Sequence, residues 1–494
     1  MAALFSPPGH RFKRSTLYLC LFLSILVGIG VAHWGYVVPG IWCLLLGVLA
    51  VVACVHRSFM VIVAAVLFGL SCGLWRGAAY AHRLQAYDAL FYRQITVTAV
   101  ASEDATYGKT KQLTFAAHNI TLENGIILPG KMLVSGYGVN AVFQNDVISI
   151  SGKMYPSRSA NQARMSFANL SVLEEHPTLI ASFRRKFIVG TQNALPEPLA
   201  PFVMGLLIGQ RATLPDNIKT DLQKVGLTHI IAVSGYNLTI ILQASKKVFG
   251  KRSKRISTLL SVLLIGVFLL IAGNSASIVR AAIVSLLSIA AGYYGRAFKP
   301  CNLLALAAVI TAWANPAYIW SDLSWYLSFL AFYGVMVLGP LIQARWPGKW
   351  HDSLIMSIAL ESLCAELLTL PFILFIFGQM SKIGLLANVL VVSLVPLAML
   401  LGAIAGLAGM YLGSIAGWFA WPAVLMLNYM LDTAHILASV PGVFINGIGF
   451  PLPALITSYV IIIMLTIVLM HKTRGQKPAT ITDRNEPKYR GMLA

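Results

Sequence analysis

The 494-residue chain is 57% hydrophobic and 11% charged, with a mean hydropathy of +0.75. A soluble domain carries roughly 25% charged residues, so the composition excludes a soluble protein and predicts a polytopic α-helical membrane protein. Lys+Arg 37 against Asp+Glu 17 leaves a net charge of +20, which can anchor helices on the cytoplasmic side or attract a polyanion. The six cysteines (Cys20, Cys43, Cys54, Cys72, Cys301, Cys364) all lie in or beside apolar segments, so neither a disulfide framework nor a cysteine-based zinc site is expected.

Arg11, Lys13 and Arg14 precede an apolar run at 17–31, followed at once by runs at 37–55 and 59–74. The first run could be a secretory signal, with Gly30-Val31-Ala32 as its cleavage site. Three apolar runs in succession read instead as an N-terminal three-helix membrane segment, residues 1–75. Residues 76–200 differ in kind. A short amphipathic helix is expected at 80–92. Strand-like runs then begin at Ile95, Gln112, Gly130 and Asp146, with a further one at 166–173, punctuated by Gly108, Asn124-Gly125 and Asn145-Asp146. About five short strands in this length suit a small barrel of the OB type. Lys109, Lys111, Lys131, Lys153, Arg158 and Arg164 give it a basic face, a candidate set of external DNA contacts. Tyr107, Phe115, Tyr137, Phe143, Tyr155 and Phe167 are interleaved with them, readable as core or as stacking groups. A spacer or protein-binding role fits such a barrel equally. The segment 174–193 carries Arg184-Arg185-Lys186 among Leu179, Ile180, Phe183 and Phe187, a basic amphipathic helix suited to lying on a membrane face and pairing with lipid phosphate.

Residues 201–471 are apolar, with spans expected near 228–245, 256–272, 277–294, 301–316, 322–343, 354–377, 384–411, 415–438 and 452–470. Each approaches the ~20 residues that cross ~30 Å of hydrocarbon. With the first three this makes about twelve crossings. The basic blocks at 246–255, 296–299, 345–349 and the tail 472–494 should be cytoplasmic. Both termini then lie on the cytoplasmic side of the membrane and residues 76–225 on the other.

The opening of the apolar half is its most informative stretch. Gly205 and Gly209 flank a run ending in Arg211, a mixed-charge helix follows at 215–224, and Ser234-Gly235-Tyr236-Asn237 interrupts the next apolar run. Polar breaks of this kind are tolerated where a helix lines protein or water rather than lipid. Between 226 and 470 the acidic residues are Asp322, Asp352, Glu361, Glu366 and Asp432. Glu361 and Glu366 are about 140° apart on a helix, which is no acid/base dyad. Arg280 can meet a passing phosphate or pair with Asp322 or Glu366. Asp432 and His435, one turn apart, read as a local pair. No phosphate loop and no metal-ligand spacing occurs, so no cofactor, metal or enzymatic activity is expected.

Several motifs resemble those of the ComEC-type competence family. Gly205-Leu-Leu-Ile-Gly209-Gln210-Arg211 is similar to a Gly-Leu-Leu-Leu-Gly-Asp-Arg element. Gly226-Leu-Thr-His229 through Ser234-Gly235-Tyr236-Asn237 resembles Thr-Gly-x-x-His-Leu-Leu-Ala-x-Ser-Gly-Leu-His. Gln210 and Asn237 replace the family's acidic residue and second histidine. Ser275-Ala-Ser277-Ile-Val-Arg280, Leu323-Ser-Trp-Tyr-Leu-Ser328-Phe, and Thr369-Leu-Pro371 through Gln379 to Ala387-Asn388 follow in the family's order; the family usually has glutamine where Glu366 stands. The resemblance implies an inner-membrane channel that passes single-stranded DNA into the cytoplasm in natural transformation, with an external OB-like domain. It further implies an external DNA receptor, a separate ATP-driven motor and a separate nuclease as partners, beside membrane lipid. The DNA path would include Gly209, Arg211, His229, Ser234, Gly235, Asn237, Ser275, Ser277, Arg280, Ser328, Gln379 and Asn388. A polytopic transporter or a glycan-processing membrane protein with an external β domain is the alternative.

Overall fold

The computed structural model describes residues 14–36, 39–42, 45–47, 59–107, 112–139, 141–157, 161–175, 179–209, 214–231, 238, 242, 253–272, 276–295, 299–345 and 354–473. In chain order the elements are α1 (Arg14–Val31), α2 (Phe59–Asp88), β1 (Gln94–Ala101), β2 (Thr106–Tyr107), β3 (Leu113–Leu122), β4 (Ile127–Tyr137), β5 (Val147–Pro156) and β6 (Ala163–Glu174). Then come α3 (Leu179–Ala194), α4 (Leu199–Ile208), α5 (Asp216–Lys224), α6 (Lys254–Ala272), α7 (Ala276–Tyr293), α8 (Pro300–Ala314), α9 (Ala317–Ser321) and α10 (Leu323–Tyr333). The last are α11 (Gly339–Gln343), α12 (Leu354–Phe377), β7 (Met380–Ser381), α13 (Gly384–Val391), α14 (Val395–Tyr411), α15 (Ala416–Ala438), β8 (Phe444–Ile445) and α16 (Leu452–Thr473). Among the described residues 6 helical stretches are long and apolar enough to cross a membrane: Ser15–Trp34, Val61–Asp88, Leu323–Gln343, Met356–Phe377, Gly384–Tyr411 and Leu452–His471. That is half the expected number of crossings. Ser277–Tyr293 and Pro300–Ala314 are apolar but shorter, most of 228–245 lies outside the described residues, and of 37–55 only 39–42 and 45–47 are described.

The chain divides into two compact units, one of residues 1–215, 229–326 and 396–428, the other of 216–228, 327–395 and 429–494. In the first, α1 and α2 pack through glycines. Gly69, Gly73 and Gly77 recur every four residues on one face of α2, and a Cβ at Gly73 would stand 2.9 Å from the Gly28 Cα. Backbones that close can meet only where side chains are missing. α2 runs unbroken to Asp88, so the separate amphipathic helix expected at 80–92 does not exist. Nothing between Gly77 and Asp88 breaks a helix, and Ala78, Ala79, Ala81, Arg83, Leu84, Gln85 and Ala86 favour it. The Arg76 guanidinium donates to the Trp313 and Ala314 carbonyls at 2.9 and 3.1 Å, satisfying the orphan acceptors that end α8.

The strands order as β1-β5-β6-β4-β3, and β3 pairs back onto β1, closing a five-stranded barrel with β2 appended to β3. β4 and β6 pair in parallel; the other ladders are antiparallel. Alternation along each strand fills the interior with Val97, Ala99, Phe115, Ala117, Met132, Val134, Ile148, Ile150, Met165 and Leu170, the period-2 pattern of a half-buried strand. The Tyr87 ring, from the last turn of α2, is fully buried in the same core, and its hydroxyl donates to the Pro129 carbonyl at 2.7 Å.

The basic helix α3 corrects another expectation. Two of its three cations turn inward, while Lys186 stays exposed. Arg184 pairs with Asp104 at 3.3 Å and the Arg185 guanidinium stands 3.5 Å from the Phe143 ring centroid, so both face the barrel. The opposite side of α3 packs on α14: a Cβ at Gly190 would fall 2.7 Å from the Gly406 carbonyl oxygen, and one at Gly406 would fall 2.6 Å from the Phe187 ring. An acidic loop residue, an aromatic ring and a glycine-lined helix offered those groups partners within the protein.

In the second unit the expected span 322–343 is interrupted by a π turn at Gly334–Leu338. A Cβ at Gly334 would lie 2.8 Å from the Cys364 carbonyl carbon, so α12 packs directly on the turn. α12 itself runs through Pro371. β7 and β8 form a two-stranded pairing, Met380 with Ile445 and Ser381 with Phe444.

Candidate functional site

Two polar clusters gather the motif residues, one in each unit. In the first unit Arg280, on the second turn of α7, is 1% exposed. Its Nη2 donates to the Ser324 carbonyl at 3.0 Å and to the Ser324 Oγ at 2.9 Å. Its Nη1 stands 3.8 Å from Asp322 Oδ2. Asp322 in turn accepts the Ser324 N–H at 2.9 Å, capping α10. The neighbouring Trp325 indole donates to Thr311 Oγ1 at 3.0 Å, which fixes α10 against α8. Of the two partners the spacing allowed Arg280, the structure places Asp322 beside it. A buried guanidinium with its fork on one serine and a carboxylate within reach is a rigid electrostatic pin. Its Nε and Nη1 have no hydrogen-bond acceptor.

In the second unit α5 is docked by its polar face. Asp221 Oδ2 is 2.7 Å from His435 Nδ1, and the Gln223 amide donates to Gln379 Oε1 at 3.2 Å. Leu222, Val225 and Leu227 are fully buried beneath them. The Asp432–His435 pair read from helical spacing is therefore replaced by an Asp221–His435 pair. A carboxylate brought in from α5 meets the imidazole directly, whereas side chains three apart on a helix lie only near one another. Gly226 ends α5 at φ +76, and a Cβ there would be 3.5 Å from the Gly384 Cα. Beside it, a Cβ at Gly384 would stand 3.3 Å from Glu366 Oε1. Ser381 Oγ and Asn388 Oδ1 are buried without a hydrogen-bond partner.

The remaining expected path residues are scattered. Gly209 closes α4 in the left-handed region at φ 80, its N–H donating to the Met204 and Gly205 carbonyls at 3.1 Å each, a glycine C-cap. His229 is exposed in the turn after α5, Ser277 lies on the first turn of α7, and Ser328 sits on α10 one turn beyond Ser324. Arg211, Ser234, Gly235, Asn237 and Ser275 lie outside the described residues, as do Lys109, Lys111 and Arg158. Lys131, Lys153 and Arg164 are exposed on the barrel. Asp221 and Gln223 were not singled out from the sequence. Their signal was the mixed-charge amphipathic stretch at 215–224, in which a polar face of that kind reads first as solvated.

A family model described as "Competence protein" matches residues 206–473. That range takes in α5 and both clusters and leaves the barrel outside. ComE operon protein 3 of Bacillus subtilis (strain 168) is 24% identical over 316 residues, covering 63% of this chain. The alignment spans 40% of that protein's own length. No solved structure matches the chain.

Proposed function

Since the chain belongs to the competence protein family, we propose that it is an inner-membrane channel of DNA uptake, passing a single strand into the cytoplasm during natural transformation. The observation that carries this reading is a polar pairing between two distant motifs within apolar helices, Arg280 with Ser324; in the second unit Gln223 of the mixed-charge helix α5 meets Gln379 just beyond α12. A polyanion crossing hydrocarbon needs a wet route with weak, repeated contacts and no deep trap. Serine, glutamine and asparagine side chains suit that better than clustered charge. In this reading Gly205–Leu214 and Ser234–Asn237 form the outer mouth, Arg211 meets phosphate at the membrane boundary, and the chain conducts DNA without cleaving it.

The barrel, closed from five strands in Greek-key order, is read as OB-type, lying outside the membrane with Lys131, Lys153 and Arg164 toward DNA. Both termini are then cytoplasmic. An external receptor, a cytoplasmic ATP-driven motor and a nuclease are supplied by other proteins. The test is uptake by Arg211→Ala and Asn237→Leu variants. Both should keep parental membrane levels and surface DNA binding and lose internalisation. Transport at the parental rate by both would place the mouth elsewhere.

A further inference from the structure

The structure sorts the aromatic side chains of the barrel, and the sorting is uneven. Phe115 is core, 1% exposed, whereas Phe167 is 77% and Tyr92 63% exposed. Large apolar rings that open to solvent, on a barrel whose interior is otherwise filled, call for a reason. Both are held by unusual backbone. Tyr92 has φ 65 and Phe167 φ 57, the left-handed region that bulky residues rarely enter and that concentrates at ligand clamps. At Phe167 the cause is a bulge: Ser151 pairs with Asn169 but Lys153 with Ser166, so β6 carries extra chain there and turns the ring outward. At Tyr92 the N–H donates to the Met154 carbonyl at 2.7 Å, which sets its ring beside β5.

Beside Tyr92, on the strand paired with that of Phe167, lies Tyr155. Its ring is 5.9 Å from that of Tyr92, edge to face. Lys153 Nζ and the Arg164 guanidinium stand 5.9 and 5.6 Å from its centroid. Lys153 and Tyr155 share one face of β5, two residues apart, hence roughly 7 Å along the strand. Arg164 is opposite Tyr155 and Ser166 opposite Lys153. Arg93 is also exposed at this end. The one acidic side chain of strands β5 and β6 is Glu174, at the far end of β6 opposite Val147. The surface thus carries three aromatic rings among cations, Tyr155 and Phe167 on the paired strands β5 and β6 and Tyr92 in the turn before β1.

From this geometry we infer that Tyr92, Tyr155 and Phe167 form a stacking platform for the unpaired bases of a single-stranded nucleic acid, with Lys153 and Arg164 taking its phosphates. The inference rests on the DNA-uptake reading above and names the ligand state of its external domain. Duplex bases are already stacked on one another and cannot lie on protein rings. Exposed bases can, whatever their sequence, while flanking cations follow the backbone.

The test uses the full chain in phosphatidylcholine nanodiscs, titrated with a labelled short oligodeoxythymidine, with a duplex of the same length, and with phosphatidylglycerol vesicles. Phe167→Asn and Tyr92→Asn remove rings while keeping a residue that tolerates positive φ. Each should weaken single-strand binding by about five- to hundredfold, the range found for loss of one stacked base, and leave the salt dependence unchanged. Lys153→Gln with Arg164→Gln should instead flatten the salt dependence. Equal affinity for strand and duplex, or unchanged single-strand binding in both ring variants, would overturn the platform. So would ring variants that lose vesicle binding and keep strand binding, which would make the rings a membrane anchor. Uptake by cells carrying the ring variants separates the two levels. Normal uptake with lost strand binding removes only the platform's role, whereas normal uptake in cells lacking the whole protein removes the channel reading.

Discussion

Replacing Arg280 by methionine tests the pin that joins α7 to α10. The side chain is 1% exposed and makes hydrogen bonds of 2.9 and 3.0 Å to Ser324, with Asp322 at 3.8 Å. Methionine fills most of the volume, so the loss is electrostatic. Removing one partner of a buried pair costs about 3–5 kcal/mol, because the other charge is left uncompensated. Here the low end applies, about 3 kcal/mol, since Asp322 keeps the Ser324 N–H at 2.9 Å and its side chain is 14% exposed. At 2–4 °C per kcal/mol, the midpoint of thermal unfolding in detergent should fall by roughly 6–12 °C. Adding Asp322→Asn should cost less than the sum of the single changes, by about 1–3 kcal/mol of coupling. Arg280→Lys should fall in between, keeping charge but losing the fork that bridges the Ser324 carbonyl and hydroxyl. A midpoint for Arg280→Met within ~2 °C of the parent, or strict additivity with Asp322→Asn, would refute the pin.

Other expectations follow from neighbouring contacts. Gly406→Val should lower the amount of folded protein in the membrane, because a Cβ there already meets the Phe187 ring at 2.6 Å; detergent-resistant yield measures it, and an unchanged yield would refute the close crossing of α3 and α14. His435→Ala should leave global stability within about 1 kcal/mol, as expected for an exposed pair, yet raise amide exchange in α5, which loses its 2.7 Å contact at Asp221. Burial, with Lys131 nearby, holds the His118 imidazole below its usual range, and its Nδ1 is 3.0 Å from Ser102 Oγ. The folded barrel therefore binds that proton less well than the unfolded chain. Its share of stability is complete above about pH 6.5 and is lost as pH falls through the lower, folded value. His118→Gln should remove that part of the pH slope. Cysteines introduced at positions 109 and 252, in a background without native cysteines, should label from outside and only after permeabilisation, respectively.

Much of this architecture was legible in the sequence, for reasons that can be named. The barrel strands were visible because one face of each is core, so alternation survives in Ile148 and Ile150 or Phe115 and Ala117. The short β2 was not, because two residues carry no period. The end of α2 was misread as a separate helix at 80–92, when it continues α2 and its Tyr87 plugs the barrel. α3 shows the limit of charge as a guide: Arg184 and Arg185 look alike whether they face lipid or a barrel loop. Arg280 was recognisable as a residue needing a partner, and Asp322 was one of two on offer. The Asp221–His435 pair was out of reach, since helical spacing can only propose partners on the same helix. The platform at Tyr92 and Phe167 depends on a bulge and two positive φ values, which no hydropathy pattern encodes.

The proposed function makes this chain the conduit for DNA. It is tested most directly by deleting the protein from a transformable host and restoring it on a plasmid, with surface-bound and internalised labelled DNA scored separately. The deletion should keep surface binding and lose internalisation, and the parental chain should restore it. Internalisation at the parental level in the deletion strain would contradict it.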